Sequence, residues 1–60
     1  MKAAVKVIVK SRLDDAAKYA KQARAAVQAV DDASFQSYLR GARFALDAAE
    51  KYFMEGMENE

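Results

Sequence analysis

Hydrophobic residues recur at helical spacing through most of the chain. From Leu13 onward they are three or four residues apart, and the same spacing returns after a short polar break at Asp31 and Asp32. Apolar residues spaced in this way lie on one side of an α-helix. The pattern therefore predicts two amphipathic helices, over residues 14–30 and 34–55.

The segment before these helices fits a β-strand over residues 4–11. Three valines, Val5, Val7 and Val9, lie there at every second position, with lysine or isoleucine between them. This alternation places the valines on one face of a strand. A helix-start signal follows at Ser11. We therefore expect a mainly α chain with a short N-terminal strand and two helices.

The same segment also fits a helix. Val5, Ile8 and Val9 have helical spacing, and Val9 lies four residues before Leu13 on the later stripe. A continuous helix from residue 3 to 30 is the alternative. It would make the fold an all-α helical hairpin, which would dimerise into a four-helix bundle.

Composition indicates that one copy has too little core. The chain has 60 residues, of which 53% are hydrophobic, but 14 residues are alanine and contribute little buried area. Cysteine and histidine are both absent, which excludes disulfides and leaves a zinc site without its usual ligands. We expect a single small domain over residues 1–56 that forms a homodimer, with Gly56 as a helix C-cap and a disordered acidic tail over 57–60.

Charge divides the chain into two unequal halves. Residues 1–30 carry seven cations and two acids, whereas residues 31–60 carry three cations and seven acids. Such asymmetry indicates either an anionic partner for the first half or the packing of a basic helix on an acidic one.

Other classes of protein are disfavoured by the sequence. The carboxylate pairs have no histidine or cysteine partner, and the chain has no glycine-rich phosphate loop. No stretch of apolar residues is long enough to span a bilayer. We expect no enzyme activity, cofactor, metal or membrane partner, and a cytoplasmic location.

Two segments carry a resemblance to a known family. Val7-Ile8-Val9-Lys10-Ser11-Arg12-Leu13-Asp14-Asp15 precedes the first predicted helix, and Ser34-Phe35-Gln36-Ser37-Tyr38-Leu39-Arg40 begins the second. Together they resemble ribbon-helix-helix repressors of the Arc/MetJ type. The resemblance implies that two strands, one from each chain of a dimer, pair and enter the major groove of DNA.

Carried over by position, the resemblance implies three sets of site residues. The base-contacting set is Lys6, Ile8, Lys10 and Arg12. The phosphate-contacting set is Ser34 and Ser37. The dimer-core set is Val5, Val7, Val9, Leu13, Phe35, Leu39, Ala42 and Leu46.

The resulting functional hypothesis is a homodimeric, sequence-specific DNA-binding protein. It would act on double-stranded DNA as a small transcriptional repressor or as a plasmid or phage regulator. The alternative is a helical-hairpin module for protein interaction or RNA binding, with the basic first helix as its contact face.

Overall fold

The computed structural model describes residues 1–58 as two long antiparallel α-helices. Helix α1 spans Ala3–Gln28 and helix α2 spans Asp32–Glu58, and a short turn joins them. No strand occurs within residues 1–58. The Cα atoms extend over 46 × 14 × 9 Å, so the hairpin is long, narrow and thin.

The predicted strand over residues 4–11 is wrong. Those residues belong to α1, which continues without interruption past the helix-start signal at Ser11. Packing explains the difference, because Val5 contacts α2 when the segment is helical. The β preference of valine is a weak and context-dependent effect. The fold is therefore the all-α hairpin, and residues 1–58 lack the strand that a ribbon-helix-helix protein pairs in its dimer.

Helix α2 is longer than the sequence predicted. It runs to Glu58 and includes Met57, both of which were predicted to lie in a disordered tail. The rest of that predicted tail, residues 59–60, lies outside the described residues.

A seam of small residues joins the two helices. Within residues 1–58, every buried hydrophobic residue is an alanine, and no larger side chain is fully buried. These alanines are Ala16, Ala23 and Ala26 on α1, and Ala42, Ala45 and Ala49 on α2. Small side chains at a contact allow two helix axes to approach closely.

Two glycines within α2 make room for larger side chains of α1. A Cβ atom added to Gly41 would lie 2.9 Å from ring atoms of Tyr19, and one added to Gly56 would lie 2.8 Å from Cγ1 of Val5. Neither glycine is at a helix end, so the prediction that Gly56 caps the helix is wrong. The two contacts fix the antiparallel register of the hairpin.

That register matches large residues with small ones along the seam. It places Ala23 level with Tyr38 and Ala26 level with Phe35, and both aromatic residues are half-buried. In the middle of the hairpin Ala16 is level with Ala45. Alternating large and small side chains across facing positions is how a close helix pair fills its interior without voids.

The turn combines a Schellman motif with an unusual backbone conformation. The amide of Val30 donates to the carbonyl of Val27 at 3.1 Å, and the amide of Asp31 donates to that of Ala26 at 2.9 Å. Val30 has a φ of 54°, which lies in the left-handed region that favours glycine. A β-branched residue there is strained, and its side chain is 89% exposed.

Candidate interaction surface

The larger aliphatic residues are concentrated on one long side of the hairpin, which we name the apolar face. On each helix its members recur every seventh residue, the spacing of one side of a helix that packs against another. The apolar face consists of Leu13, Ala20 and Val27 from α1 and Leu39, Leu46 and Phe53 from α2.

Shallow clefts between the helices extend this face toward both ends of the hairpin. Near the chain termini, Val9 lines a cleft together with Phe53 and Met57. Near the turn, Val27 and Phe35 line another. Because each cleft contains residues of both helices, the apolar positions of α1 and α2 open to the same side.

The apolar face is not covered by any other part of residues 1–58. Leu46 is 50% exposed, and Leu13, Val27 and Phe53 are exposed to a similar extent. Contiguous exposed hydrophobic residues on a soluble protein usually mark an interaction site. The hairpin thus buries six alanines and leaves the larger side chains of Leu13, Val27, Leu46 and Phe53 about half-exposed.

The two helices have opposite net charge. Helix α1 carries six cations and two acids, and helix α2 carries three cations and five acids. Lys6 and Lys10 lie at the α1 edge of the apolar face, where they line the cleft with Phe53. Within residues 1–58 the cations of α1, apart from Arg12, make no ion pair with a carboxylate.

The other long side of the hairpin is more polar. Nη2 of Arg12 lies 3.1 Å from Oδ2 of Asp15, and its Nε is buried without a hydrogen-bond partner among the described residues. Tyr19 and Phe44 border the adjoining cleft, and Phe44 is 78% exposed. This side therefore mixes aromatic residues with charges of both signs, unlike the apolar face.

The residues predicted to contact bases do not form one row. Lys6 and Lys10 border the apolar face, whereas Arg12 faces the opposite side with Asp15. Ile8 is partly exposed on the same helix. The alternation that would present these residues together belongs to a strand, and α1 distributes them around a helix instead.

The predicted phosphate site is used by the chain itself. The amide of Ser34 donates to Oδ1 of Asp31 at 3.1 Å, so Asp31 caps the start of α2. Hydrogen bonding with Ser34 lowers the pKa of Asp31 below its usual value. Ser37 is exposed one turn further on. A phosphate at this helix end would meet the charges of Asp31 and Asp32.

The predicted dimer-core residues fall into separate regions. Ala42 is buried in the seam, and Val5, Val9 and Phe35 are half-buried beside it. Leu13, Leu39 and Leu46 belong to the apolar face, whereas Val7 is strongly exposed on the outer side of α1. Sequence reasoning missed Tyr19 and the two glycines of the seam. The signal that could have revealed these contacts was the presence of a glycine inside a predicted helix, because such a glycine often marks the close approach of another part of the chain.

Residues 1–58 contain neither a cluster of metal ligands nor a helix that could span a membrane. No three acidic side chains come close enough together to hold a metal ion. Within the same residues, neither helix has a stretch that is both long enough and apolar enough to span a bilayer.

Comparison with protein-family models, with curated proteins and with solved structures finds no significant match to this chain. The surface and charge of the hairpin itself are therefore the observations that bear on its function.

Proposed function

We propose that this chain is a helical-hairpin protein-interaction module that binds a helical partner on its apolar face. The observation that carries the proposal is the heptad row on α2, in which Leu46 and Phe53 are about half-exposed, beside the similarly exposed Leu13 and Val27 on α1. Such rows bury against another helix in bundles and helix-in-groove complexes.

The distribution of residue sizes supports this proposal. In a self-sufficient small domain the largest aliphatic and aromatic side chains are in the core, because they contribute the most burial energy. Here the buried hydrophobic residues are alanines, whereas two of the three leucines and two of the three phenylalanines are exposed. A partner helix would complete the burial that the hairpin alone leaves unfinished.

Two methionines in the last turns of α2 provide a matched test. Met57 lines the cleft of the apolar face with Phe53, whereas Met54 is three residues earlier and does not line that cleft. They are 51% and 54% exposed in the hairpin, so peroxide should oxidise them at nearly equal rates when the face is empty. When a partner covers the face, Met57 should be oxidised several-fold more slowly than Met54.

The experiment measures both oxidation rates by mass spectrometry, in cells that express the chain and in the purified protein. Slower oxidation of Met57 in either setting, lost in a Leu46→Asp variant, supports the proposal. Equal rates in both settings would contradict it.

A second candidate function is nucleic-acid binding through α1. The observation that favours it is the row of exposed, unpaired cations on this helix, including Lys18, Lys21 and Arg24. Double-stranded DNA is bound chiefly through phosphate contacts with such residues, without any need for a strand in the groove.

Fluorescence anisotropy with a DNA duplex and with single-stranded RNA tests this second function. Lys21→Gln with Arg24→Gln should weaken binding and reduce the slope of log affinity against log salt by about one for each lost phosphate contact. Arg43→Gln with Lys51→Gln, which removes the same charge from α2, is the control. Equal loss in both variants would indicate a general charge effect and contradict a site on α1.

A further inference from the structure

We infer that the partner on the apolar face is a second copy of this chain, stacked so that α1 of each copy lies on α2 of the other and both turns lie at the same end. This inference rests on the proposed function, since it names the occupant of the same face. Four observations carry it: exposed area, side-chain size, symmetry and charge.

The exposed area matches what a dimer interface needs. The chain has an accessible surface of 4804 Å² at a mass of 6.6 kDa. A folded monomer of that mass typically exposes about 3,900 Å². The excess of roughly 900 Å² is close to the ~800 Å² that each partner loses in an interface of standard size. Packing a second hairpin against the apolar face would bury an area of this size.

Side-chain sizes on the apolar face are complementary between the helices. The α1 row includes the small Ala20, whereas the α2 row consists of Leu39, Leu46 and Phe53. Packing α1 on the α2 of a second copy sets the smaller row against the larger one. Packing α2 on α2 would instead set three large residues against three large residues.

Symmetry leaves two ways to join identical faces. A two-fold axis must lie in the interface, because the same surface of both copies is used. If the axis is parallel to the helices, α1 lies on the partner's α2 and the turns share one end. If it is perpendicular to them, α1 lies on the partner's α1 and the turns are at opposite ends.

Charge selects the first arrangement. Joining α1 to α1 would bring together two helices that each carry six cations and two acids, with Lys6 and Lys10 of one copy near Lys21 and Arg24 of the other. Joining α1 to α2 places the basic helix against one with five acids and three cations. Opposite charges around an interface favour the correct partner and orientation, and like charges disfavour the wrong one.

The register of the interface follows from that of the hairpin. With the axis parallel to the helices, residues at equal height within one hairpin remain at equal height across the interface. The glycine contacts place the N-terminal part of α1 level with the C-terminal part of α2. Lys10 is therefore level with the partner's Glu50 and Lys51, and Leu13 lies within one helical turn of the height of the partner's Leu46.

The first experiment determines whether a second copy occupies the apolar face. Sedimentation equilibrium of the full chain should give twice the chain mass at micromolar concentration. Leu46→Asp should weaken association by about 100-fold or more, since it places a charge in the centre of the interface. Phe44→Asp makes the same kind of change at a more exposed residue on the other side of the hairpin and should leave the dimer intact.

The second arm measures the arrangement. Nitroxide labels at Ala29→Cys, beside the turn, and in a separate variant at Ala4→Cys, near the other end, report the distance between two copies by pulsed electron resonance. In the arrangement inferred, both variants give distances well under half of the 46 Å length of the hairpin. Distances near that full length for both variants would overturn it.

The outcomes separate this inference from the proposed function. A purified chain that stays monomeric, while Met57 is protected from oxidation in cells, would overturn the second copy as occupant and leave the interaction module in place. A monomer with no protection in either setting would overturn both.

Discussion

The seam between the helices and the apolar face beside it are built from different residues. The seam is buried and consists of alanine and glycine, with larger residues such as Tyr19 set against the smallest ones. The apolar face consists mainly of leucine, valine and phenylalanine, and four of these residues, Leu13, Val27, Leu46 and Phe53, are close to half-exposed. Both rows have heptad spacing, yet only the row of small residues is fully buried within one chain.

This difference separates two tasks that a single core usually combines. Small residues hold α1 and α2 close together at little cost in side-chain entropy. The residues that release the most free energy on burial lie where only a partner can bury them. The hairpin thus determines its own shape, and a second molecule would supply much of its stability.

The largest effect is expected from a substitution in the seam. Ala49 is only 3% exposed, so Ala49→Leu would force the helices apart and destabilise the fold by about 1–3 kcal/mol. Urea denaturation should show this loss at every protein concentration. Ala25→Leu, on the exposed side of α1, is the control and should be nearly neutral. Similar losses in both variants would mean that the seam is not specific in its packing.

A smaller effect is expected on the apolar face at low concentration. Leu46 is half-exposed, so Leu46→Ala should cost the lone hairpin about 1 kcal/mol. At high concentration the cost should approach the 2–5 kcal/mol typical of a buried leucine, since the dimer would bury it. A loss that does not change with concentration would show that the apolar face remains empty.

A substitution in the turn should affect the lone hairpin and the dimer differently, so one variant can compare the two. Val30 adopts a positive φ, so Val30→Gly should relieve strain and stabilise the lone hairpin by about 0.5–1 kcal/mol after the entropic cost of glycine. The same change removes an exposed apolar side chain beside the apolar face, so it should not strengthen the dimer equally. Denaturation at low and high concentration separates the two effects, and destabilisation at low concentration would contradict the strain.

The smallest effect concerns pH, and it arises at the turn, not in the seam or on the apolar face. The hydrogen bonds with Ser34 hold the pKa of Asp31 below its usual 3.8, so the folded state favours the carboxylate. This stability is present above pH 3.8 and is lost as the pH falls through the lowered pKa. Asp31→Asn keeps a capping oxygen but does not titrate.

Urea midpoints at about pH 6 and about pH 3 should therefore fall less in the Asp31→Asn variant than in the native chain. An equal fall in both proteins would show that Asp31 does not contribute to the acid sensitivity.

The sequence predicted the helices better than it predicted their contacts. The periodicity from Leu13 onward indicated helix correctly, because it extends over many turns. The first segment was predicted wrongly because alternation and helical spacing overlap in a run as short as Val5 to Val9. The decisive contact, Val5 against Gly56, joins residues almost a full chain length apart. Local propensity contains no information about such a contact.

The division between seam and apolar face could not be read from the sequence for a related reason. The predicted stripe of α1 included Leu13, Ala20 and Val27, which the structure leaves exposed, together with Ala16 and Ala23, which it buries. All five have helical spacing, and one helix can offer two adjoining rows. Which row faces the second helix depends on the residues there, including the space at Gly41. The periodicity thus identified the apolar side of α1, but not which of its residues pack in the seam and which lie on the apolar face.

The register set by Gly41 and Gly56 also limits how the length of this chain can change over evolution. Each seam layer joins one residue of α1 to one of α2, so a single inserted residue in either helix would turn every later position by about 100° and misalign the remaining layers. Changes at the turn leave the order of the layers intact. Related hairpins should therefore differ in turn length, or by matched additions of seven residues to both helices.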